Sequence, residues 1–412
     1  MKTKPQTLKG FRDFLPQEKR MRDWVEKKII ETFENFGFEP LETPTLEYAT
    51  LLLGKYGDEA DKLVYTFEDK GKRQVGLRYD QTVPTARVLG QYQNALPKYF
   101  RRYQIQNVFR ADKPQKGRYR EFTQCDIDIF GSSSPLSDAE ILACTYMAYK
   151  NIGFKNVKIR INDRKTLIQS LSPYATAEVN VNSIIQSIDK LDKLSKEDVI
   201  KELEAKGVRD ALSTIETLES TAASQDIQEI TKTAVTLGVL ADELEFSPFL
   251  ARGLDYYTGM IFEVLIDGYT VGSVGGGGRY DSLINDLTGT EMPAVGMAFG
   301  FDRTVEAASQ LGILPDTKAS SQVLVTLFDE TSTTYSLTTA RKLRQAGIKT
   351  EIYPKVDKLS KQFRLADQKL IPYVLVLGQD EVKTNRVTLK EMSTGEQKQV
   401  TLEEALELIS RT

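Results

Sequence analysis

Two segments in the second half of the chain carry residue types that suit a small, planar substrate. ARGLDYYTGMIFEV (251–264) has an arginine followed by two adjacent tyrosines, and VGGGGRYDSLI (274–284) has four consecutive glycines. Arginine offers a planar set of donors to a carboxylate or phosphate, and tyrosine offers a hydroxyl beside an apolar ring. We therefore expect these segments to bind a planar, hydrogen-bonding molecule that carries a carboxylate.

The glycine run (275–278) allows two interpretations. Because glycine has no Cβ, a run of it lets the backbone approach a flat ligand closely. The same run is typical of a flexible hairpin turn. It matches neither the GxGxxG loop nor the Gly-Lys-Ser/Thr phosphate loop. The neighbouring arginine and tyrosines favour the first interpretation.

A third segment, NVFRADKPQKGRYREFTQCDIDIFG (107–131), predicts a strand with two different faces. Alternate side chains of a strand share a face. The alternation gives a polar face with Phe122, Gln124, Asp126 and Asp128. The opposite, apolar face has Thr123, Cys125, Ile127 and Ile129. The apolar face suits packing against core helices, whereas solvent exposure alone would also explain the polar one.

Arginines before this strand favour a phosphate site. Arg110 closes the preceding apolar strand, and Arg118 lies in the connecting loop DKPQKGRYR (112–120). A guanidinium matches phosphate oxygens in a bidentate manner, so both residues are candidate phosphate ligands. A solvated hairpin tip would explain the loop, but it would not explain an arginine at position 110.

Two further segments contribute candidates. LRYDQTVPTAR (77–87) offers Asp80 and Thr82 to a substrate ammonium, although an Asp-capped turn before a helix also explains them. AVGMAFGFDR (294–303) reads as a small-residue strand that runs into a helix bearing Arg303. Tight packing of its small residues is the alternative interpretation.

Composition excludes several classes of chemistry. The chain has 412 residues and no histidine, where ordinary usage would give on the order of eight. Ser-His-Asp and Cys-His catalysis are therefore excluded. Cys125 and Cys144 form no CxxC pair, so we expect neither a disulfide framework nor a thiolate zinc site. A transition-metal site would need carboxylates alone.

Charge and hydropathy indicate an ordinary water-exposed protein. The net charge is −3, so contacts to nucleic acid must come from local basic patches. No apolar run approaches the length of a membrane span, and the first residues lack the apolar core of a signal peptide. We expect a cytosolic protein without a membrane partner.

Periodicity predicts several domains, because a chain of this length is too long for one core. Helices are predicted over 17–36 and 135–152, and two strands within 99–131. The long connections and alternating patterns favour an antiparallel sheet with helices on one side. Strand and helix alternate after a linker at 309–321, which is typical of a small α/β domain with parallel strands. The expected domains are a discontinuous catalytic domain (1–165 and 241–312), a helical insertion (166–240) and an α/β domain (322–412).

These segments together resemble the class II aminoacyl-tRNA synthetases, and specifically the histidyl-tRNA synthetase family. The three class motifs occur in order: a helix–strand–proline ending at Pro44, the strand–loop–strand of 99–131, and the strand with arginine at 294–303. RGLDYYTG and GGGGRYD resemble the two signature peptides of the family, and GFRDFLP (10–16) its usual opening. The resemblance covers essentially the whole chain. It implies an α+β catalytic domain of the class II type, a helical insertion and a C-terminal α/β anticodon-binding domain.

The resemblance also implies an activity. L-histidine and ATP would give histidyl-adenylate and pyrophosphate, and the histidyl group would then pass to the 3′ end of tRNA-His. Mg²⁺ would accompany ATP without a fixed protein site. Family members are usually homodimers, so a homodimer is expected.

The residue roles follow by resemblance alone. Those implied for ATP are Arg110 at the α-phosphate, Arg118 and Arg303 toward the β,γ end, and Phe122 with Arg303 around the adenine. Asp112 is also implied as an ATP-binding residue. Those implied for histidine are Asp80, Thr82 and Gln124 at the α-ammonium, Asp128 and Tyr257 at the imidazole nitrogens, and Tyr256 in the pocket wall. Arg252 would stabilise the transition state beside the α-phosphate and the substrate carboxylate, with Arg110 as the second catalytic residue. Asp80, Asp112 and Asp128 stand where many family members carry glutamate.

Three other functions were compared with this one. A non-catalytic paralogue that serves as a histidine-sensing regulatory subunit of histidine biosynthesis would keep the fold, but it typically loses the phosphate arginines and the anticodon domain. Class II synthetases for threonine or proline lack RGLDYY followed by GGGGRYD. The acidic composition and the pocket residues disfavour a pure RNA-binding module.

The absence of histidine suggests a hypothesis of its own. An enzyme that makes histidyl-tRNA, yet contains no histidine, can be translated when histidyl-tRNA is depleted. Compositional drift or engineering would also explain the absence. Histidine codons inserted into the gene should lower enzyme levels under histidine starvation, and equal levels from both genes would contradict the hypothesis.

Overall fold

The computed structural model describes residues 5–53, 62–113, 119–192, 194–252, 256–315 and 320–410. Two compact units divide the chain: residues 1–13 with 22–314, and residues 14–21 with 315–412. The strands in chain order are β1 (Glu39–Pro40), β2 (Leu46–Tyr48), β3 (Thr66–Glu68), β4 (Gln74–Leu77), β5 (Phe100–Phe109), β6 (Glu121–Phe130), β7 (Val157–Asp163), β8 (Leu244–Phe246), β9 (Met260–Ile266), β10 (Gly275–Arg279), β11 (Ala294–Phe299), β12 (Val323–Val325), β13 (Thr350–Ile352), β14 (Tyr373–Val376), β15 (Val387–Glu391) and β16 (Gln397–Val400).

The α-helices of the described residues follow in the same order. They are α1 (Pro16–Asn35), α2 (Ala49–Leu52), α3 (Thr82–Gln91), α4 (Pro135–Ile152), α5 (Arg164–Leu171), α6 (Val181–Ile188), α7 (Lys196–Lys206), α8 (Ala211–Glu219), α9 (Gln225–Thr236), α10 (Leu283–Thr288), α11 (Phe301–Gln310), α12 (Thr333–Gln345), α13 (Leu359–Gln368), α14 (Gln379–Thr384) and α15 (Leu402–Ser410). None of them is long and apolar enough to cross a membrane.

The larger unit is built on an eight-stranded sheet with the order β1-β5-β6-β11-β10-β9-β7-β8. Its six central strands pair antiparallel, as the sequence predicts. The edge strands β1 and β8 instead run parallel to their neighbours β5 and β7, so the sheet is mixed. Long intervening segments separate both parallel pairs, and parallel strands require such crossovers.

One face of this sheet packs against helices and forms the main core. Cys125, Ile127 and Ile129 of β6 are at most 2% exposed and belong to this core, as the alternation predicts. Helix α4 covers them and ends at Gly153, whose φ of +115° is a conformation that glycine adopts without strain. The other face of β6 is thereby left for the site.

The helical segment after β7 contributes to two different cores. Helices α5 to α8 pack around a second hydrophobic cluster that also includes Tyr257 and Tyr280. In contrast, Ile227, Ile230 and Ala234 of α9 join the main core beside α4. The segment therefore packs against both faces of the large sheet, and the expectation of helices on one side alone is wrong.

The smaller unit has a five-stranded sheet with the order β13-β12-β14-β15-β16. Strand β12 is parallel to β13 and β14, as expected, but β15 and β16 are antiparallel additions. The expectation of parallel strands alone is therefore wrong. The β15–β16 connection is a short turn containing Gly395 at a φ of +75°, and a turn of this length can join only antiparallel strands.

Candidate active site

A row of paired residues crosses the face of the sheet that does not contact the main core. Arg102 of β5 lies opposite Asp128 of β6, Asp128 opposite Gly296 of β11, and Gly296 opposite Gly278 of β10. Paired residues of antiparallel strands point to the same face. A Cβ added at Gly296 would overlap the Asp128 carboxylate, and one at Gly278 would lie 2.9 Å from the Tyr257 ring. The two glycines therefore make room for side chains of the site.

The glycine run does not form a turn. It occupies β10, between β9 and β11, so the hairpin interpretation is wrong. A Cβ at Gly276 would lie 2.9 Å from Arg252 Cζ. We expected the run to let backbone approach a ligand, but Gly276 and Gly278 instead accommodate Arg252 and Tyr257, two of the residues expected to bind it.

Asp128 is the buried acid of this row. It is 5% exposed, its Oδ1 accepts a hydrogen bond from the Tyr280 hydroxyl, and its Oδ2 lies 2.6 Å from Arg102 Nη2. Burial raises the pKa of Asp128, whereas Arg102 and the Tyr280 hydrogen bond oppose that rise. Each carboxylate oxygen has two lone pairs, so Asp128 retains the capacity to accept another hydrogen bond.

Gln124 and Asp126 continue the polar face along β6. Gln124 Nε2 donates to Asp126 Oδ2 at 2.8 Å, and the two residues are 9% and 4% exposed. Burial raises the pKa of Asp126 to about 8, against the opposing charge of Arg102. The polar face is therefore a buried cluster, and the alternative of simple solvent exposure is wrong.

Asp80 and Thr82 lie at the start of α3, which begins at Thr82. Asp80 is 8% exposed, and its Oδ1 accepts a hydrogen bond from the Val83 amide at 3.2 Å, which is the helix-capping contact expected from the sequence. Its charge also raises the pKa values of Asp126 and Asp128. Asp80 therefore bonds the first turn of α3 from one residue before the N-cap Gln81, and it also lies close to the polar face of β6.

Arg110 and Phe122, which were expected at the ATP end, are neighbours. The Arg110 guanidinium lies 5.1 Å from the Phe122 ring centroid and 4.4 Å from that of Tyr79. Arg110 Nε also donates to the Tyr79 carbonyl oxygen at 3.2 Å. Contacts with aromatic faces orient the guanidinium. All three side chains are only partly buried, so the surface they form is open to a ligand.

Arg252 adopts an unusual backbone conformation. Its φ is +50°, in the left-handed region that non-glycine residues enter at a cost of about 1–2 kcal/mol. Its Nε is buried and has no hydrogen-bond partner in the part of the chain that the structure describes. Residues 253–255, in the same signature, lie outside the described residues. Backbone strain of this kind concentrates at functional sites.

Three tyrosines pack together beside Asp128. The Tyr256 ring lies 4.7 Å from the Tyr257 ring and 5.8 Å from the Tyr280 ring, the latter edge to face. Burial raises the pKa values of Tyr256 and Tyr280, so both phenols are protonated at neutral pH. Tyr257 is 6% exposed and packs on the glycine strand. The cluster forms a wall that can donate hydrogen bonds.

The remaining candidates lie at the other end of the predicted site. Arg303, in the first turn of α11, donates from Nη1 to the Ser273 carbonyl oxygen at 2.9 Å, just before β10. The backbone carbonyl of Asp112 accepts a hydrogen bond from Arg120 Nε at 3.0 Å. Arg118 lies outside the described residues.

Sequence reasoning missed Arg102 and Tyr280. Arg102 is 0% exposed, although it sits in the polar-looking stretch YFRRYQIQNVFR (99–110). The available signal was the alternation itself, because one of two adjacent arginines in a central strand must point inward. Tyr280 was visible within GGGGRYD but received no role.

Two family models match the chain. The model described as histidyl-tRNA synthetase matches residues 10–304, and the one described as anticodon binding domain matches residues 322–412. Together they span both structural units.

Individual relatives extend over the full length. The histidine--tRNA ligase of Wolinella succinogenes is 40% identical over 433 residues, covering 98% of this chain and 98% of that protein. A crystal structure of histidyl-tRNA synthetase from Nostoc sp. PCC 7120 has a TM-score of 0.86 at 30% identity and covers 100% of both chains. An ATP phosphoribosyltransferase regulatory subunit/histidyl-tRNA synthetase from Bacillus halodurans has a TM-score of 0.75 at 20% identity, covers 88% of this chain and 97% of that one, and shares the fold. The family-model match and the full-length relatives establish that this chain belongs to the histidyl-tRNA synthetase family.

Proposed function

We propose that this chain is a histidine–tRNA ligase, which activates L-histidine with ATP and transfers the histidyl group to tRNA-His. The observation that carries the proposal is the buried, hydrogen-bonded Asp128 within a pocket of tyrosines. Recognition of histidine needs an acceptor for a ring N–H, and a site with such a buried group strongly rejects analogues that lack the donor. Full-length relatives named histidine--tRNA ligase support the same activity.

In the amino-acid half of the site, we assign the imidazole to Asp128 and Tyr257. Asp128 accepts the hydrogen bond from one ring nitrogen, and the Tyr257 hydroxyl bonds the other. Asp80, Thr82 and Gln124 hold the α-ammonium, which is consistent with the proximity of the Asp80 carboxylate to the β6 acids. Tyr256 closes the wall of the pocket.

The nucleotide half of the site uses the exposed aromatic and cationic groups. Arg110 binds the α-phosphate, and its contact with Phe122 places that ring beside it for the adenine. Arg303 covers the opposite side of the adenine and, with Arg118, binds the β,γ end. Asp112 completes the ATP-binding set. Mg²⁺ accompanies the phosphates and neutralises part of their charge.

Activation is an in-line displacement at phosphorus. A carboxylate oxygen of histidine attacks the α-phosphorus, and the bond to the pyrophosphate oxygen breaks. Arg252 lies beside the transferring centre and stabilises the negative charge that develops on the phosphorus oxygens. In the second step a hydroxyl of the terminal adenosine attacks the histidyl carbonyl, and AMP leaves as the acyl bond transfers.

The remaining assignments concern organisation and partners. We assign catalysis to 1–165 with 241–312, a helical insertion to 166–240, and anticodon recognition to 322–412, the region matched by the anticodon-binding model. We also propose that the protein forms a homodimer and works in the cytosol.

The regulatory-subunit alternative makes a different prediction. A histidine sensor needs the amino-acid half of the site but not the phosphate arginines. This chain keeps Arg110 against Phe122 and holds Arg252 in a strained conformation against Gly276. Strain at a residue with no role in binding would be a cost without a benefit. Both observations favour the ligase.

The test is ATP–pyrophosphate exchange with each of the twenty amino acids in turn. We expect exchange with histidine alone, and a loss on the order of 10²–10³-fold in kcat for Arg252→Ala. Arg101→Ala is the matched control, because Arg101 pairs with Glu140 of α4 on the face of β5 opposite to Asp128 and should leave exchange unchanged. Charging of tRNA-His by the same preparation tests the second step.

Two outcomes would contradict the proposal. Exchange with another amino acid would move the chain to a different synthetase specificity. Histidine binding without exchange, detected by calorimetry, would favour the regulatory subunit.

A further inference from the structure

We infer that Arg102 is a positioning residue for histidine recognition, which fixes the charge and the orientation of the Asp128 carboxylate. The inference rests on the proposed function, because it gives Asp128 the role of imidazole acceptor. It adds a residue that touches no substrate and that the sequence analysis did not identify.

The geometry of the pair is fixed by the sheet. Arg102 and Asp128 are directly opposite each other in the β5–β6 ladder, and their side chains share a face. Arg102 Nη2 lies 2.6 Å from Asp128 Oδ2, while the Tyr280 hydroxyl donates to Oδ1. Gly296 leaves the space that the carboxylate occupies. The carboxylate therefore lies between Arg102 of β5 and Tyr280, just after β10, in the space that Gly296 of β11 leaves.

Arg102 is otherwise poorly satisfied. It is 0% exposed, and its Nε, Nη1 and Nη2 have no hydrogen-bond partner among the residues that the structure describes, so Nη2 meets Asp128 Oδ2 as an ion pair only. A fully buried guanidinium with unused donors is costly for stability, since burying polar groups without partners is unfavourable. Stability alone therefore does not explain an arginine here. A requirement to keep Asp128 ionised does explain it.

The charge balance around Asp128 supports this role. The titratable and charged groups that face it are Arg102 from β5, Asp126 on β6 itself, Asp80 before α3, Tyr280 after β10, and Tyr256 behind Tyr280. Burial and Asp80 favour the protonated form of Asp128, and Arg102 is the cation that opposes them. Without Arg102, burial and Asp80 would raise the pKa of Asp128 further, and the carboxyl would be a weaker charged acceptor. The imidazole N–H would then have a weaker partner.

The test compares wild type with Arg102→Met, Arg102→Lys and Arg101→Met in histidine-dependent exchange from pH 6 to pH 9. For Arg102→Met we expect the histidine KM at pH 7 to rise about tenfold to a hundredfold, as for one to two pKa units of lost charge stabilisation, while the ATP KM stays within about twofold. The defect relative to wild type should shrink as the pH rises, because a higher pH opposes the rise in the pKa of Asp128. Arg101→Met removes an arginine from the same strand on the opposite face and should behave as wild type.

Arg102→Lys separates charge from geometry. Lysine keeps the positive charge but replaces the planar fork by a single ammonium on a flexible stem. We expect a severalfold rise in histidine KM without the pH trend of Arg102→Met. If Arg102→Met does not fold, an unchanged histidine KM in Arg102→Lys overturns the positioning role, and a selective rise supports it.

The remaining outcomes separate this inference from the proposed function. Failure of wild type to use histidine, or unchanged histidine KM in Asp128→Asn, would overturn both. If wild type and Asp128→Asn behave as proposed, a histidine KM of Arg102→Met equal to that of wild type would overturn the positioning role of Arg102. A pH-independent defect, or one that is equal for histidine and ATP, likewise assigns Arg102 a purely structural role.

Discussion

Two buried arginine–aspartate pairs lie in the same unit, and they differ in how completely the arginine is satisfied. Arg279 donates to both oxygens of Asp138, and its remaining donors reach the Ser132 and Ser134 carbonyl oxygens and the Asp281 carboxylate. The hydrogen bonds of Arg279 thus form a closed network that connects the end of β10 to the start of α4. Every nitrogen of the Arg279 guanidinium therefore has a protein partner.

The Arg102–Asp128 pair is an open network by comparison. It has one ion-pair contact, one tyrosine donor, and guanidinium nitrogens without partners in the described ranges. Buried polar networks stabilise a fold when every member is satisfied and weaken it when some are not. The difference suggests that the closed pair serves the fold, whereas the open pair serves the site.

The largest expected effect tests that difference directly. Arg279→Met should lower the free energy of unfolding by about 3–5 kcal/mol, because it leaves Asp138 buried without its cation. Arg102→Met should cost only about 1–3 kcal/mol, because the arginine it removes is itself poorly satisfied. Urea unfolding followed by fluorescence of Trp24, the single tryptophan, reports on this unit.

A matched control and a contrary result complete the comparison. Arg101→Met should change stability by about 1 kcal/mol or less, because it removes a partly exposed ion pair with Glu140 and a hydrogen bond to the Phe36 carbonyl oxygen. Equal losses for Arg102→Met and Arg279→Met would mean that both pairs serve the fold, and the distinction drawn here would not hold.

The sequence predicted the features of the fold that depend on local periodicity. The alternation of Cys125, Ile127 and Ile129 identified the core face of β6, and the bounds of α4 matched the predicted helix 135–152. The parallel edge strands β1 and β8 could not be predicted, because their pairing depends on segments distant in the chain. The β15–β16 hairpin was missed for a different reason: its pairing is local, across a short turn containing Gly395, and the sequence analysis did not use that turn.

For the site, residue types were predictable but their partners were not. The glycine run that includes Gly276 was expected to contact a ligand, and Gly296 was considered only for tight packing, yet both leave space for side chains, those of Arg252 and Asp128. These relations arise from strand register between β6, β11 and β10, which no local pattern records. Arg102 was missed because a charged residue next to another arginine resembles a solvated strand.

The next largest expected effect is on the pH dependence of stability, and it is caused by Asp126. Its pKa is about 8 in the folded protein and about 3.9 in an unfolded chain, so the folded state binds the proton more tightly. The stability that it contributes is therefore full below about pH 4 and is lost as the pH rises toward 8. Asp126→Asn removes this loss, and the variant should gain at least about 2 kcal/mol over wild type between pH 5 and pH 8.

The measurement is the urea midpoint of both proteins at intervals from pH 5 to pH 8. The two curves should diverge with increasing pH, since only wild type must ionise a buried acid. Parallel curves would show that Asp126 titrates as an ordinary carboxyl, and the site would then lack the unsatisfied character that distinguishes it from the Arg279 pair.

The smallest effect separates strain from chemistry at Arg252. Its φ of +50° suits glycine, so Arg252→Gly should be about 0.5–1 kcal/mol more stable than Arg252→Ala, although both lose the guanidinium and exchange activity equally. At Ala148, within helix α4, the order should be reversed: Ala148→Gly should be about 1 kcal/mol less stable than wild type, because glycine is unfavourable in a helix. If the glycine variant at 252 were instead the less stable of the two, the left-handed backbone would carry no strain. Arg252 would then resemble Arg279, whose position is fixed by satisfied contacts, and its conformation would no longer indicate a function.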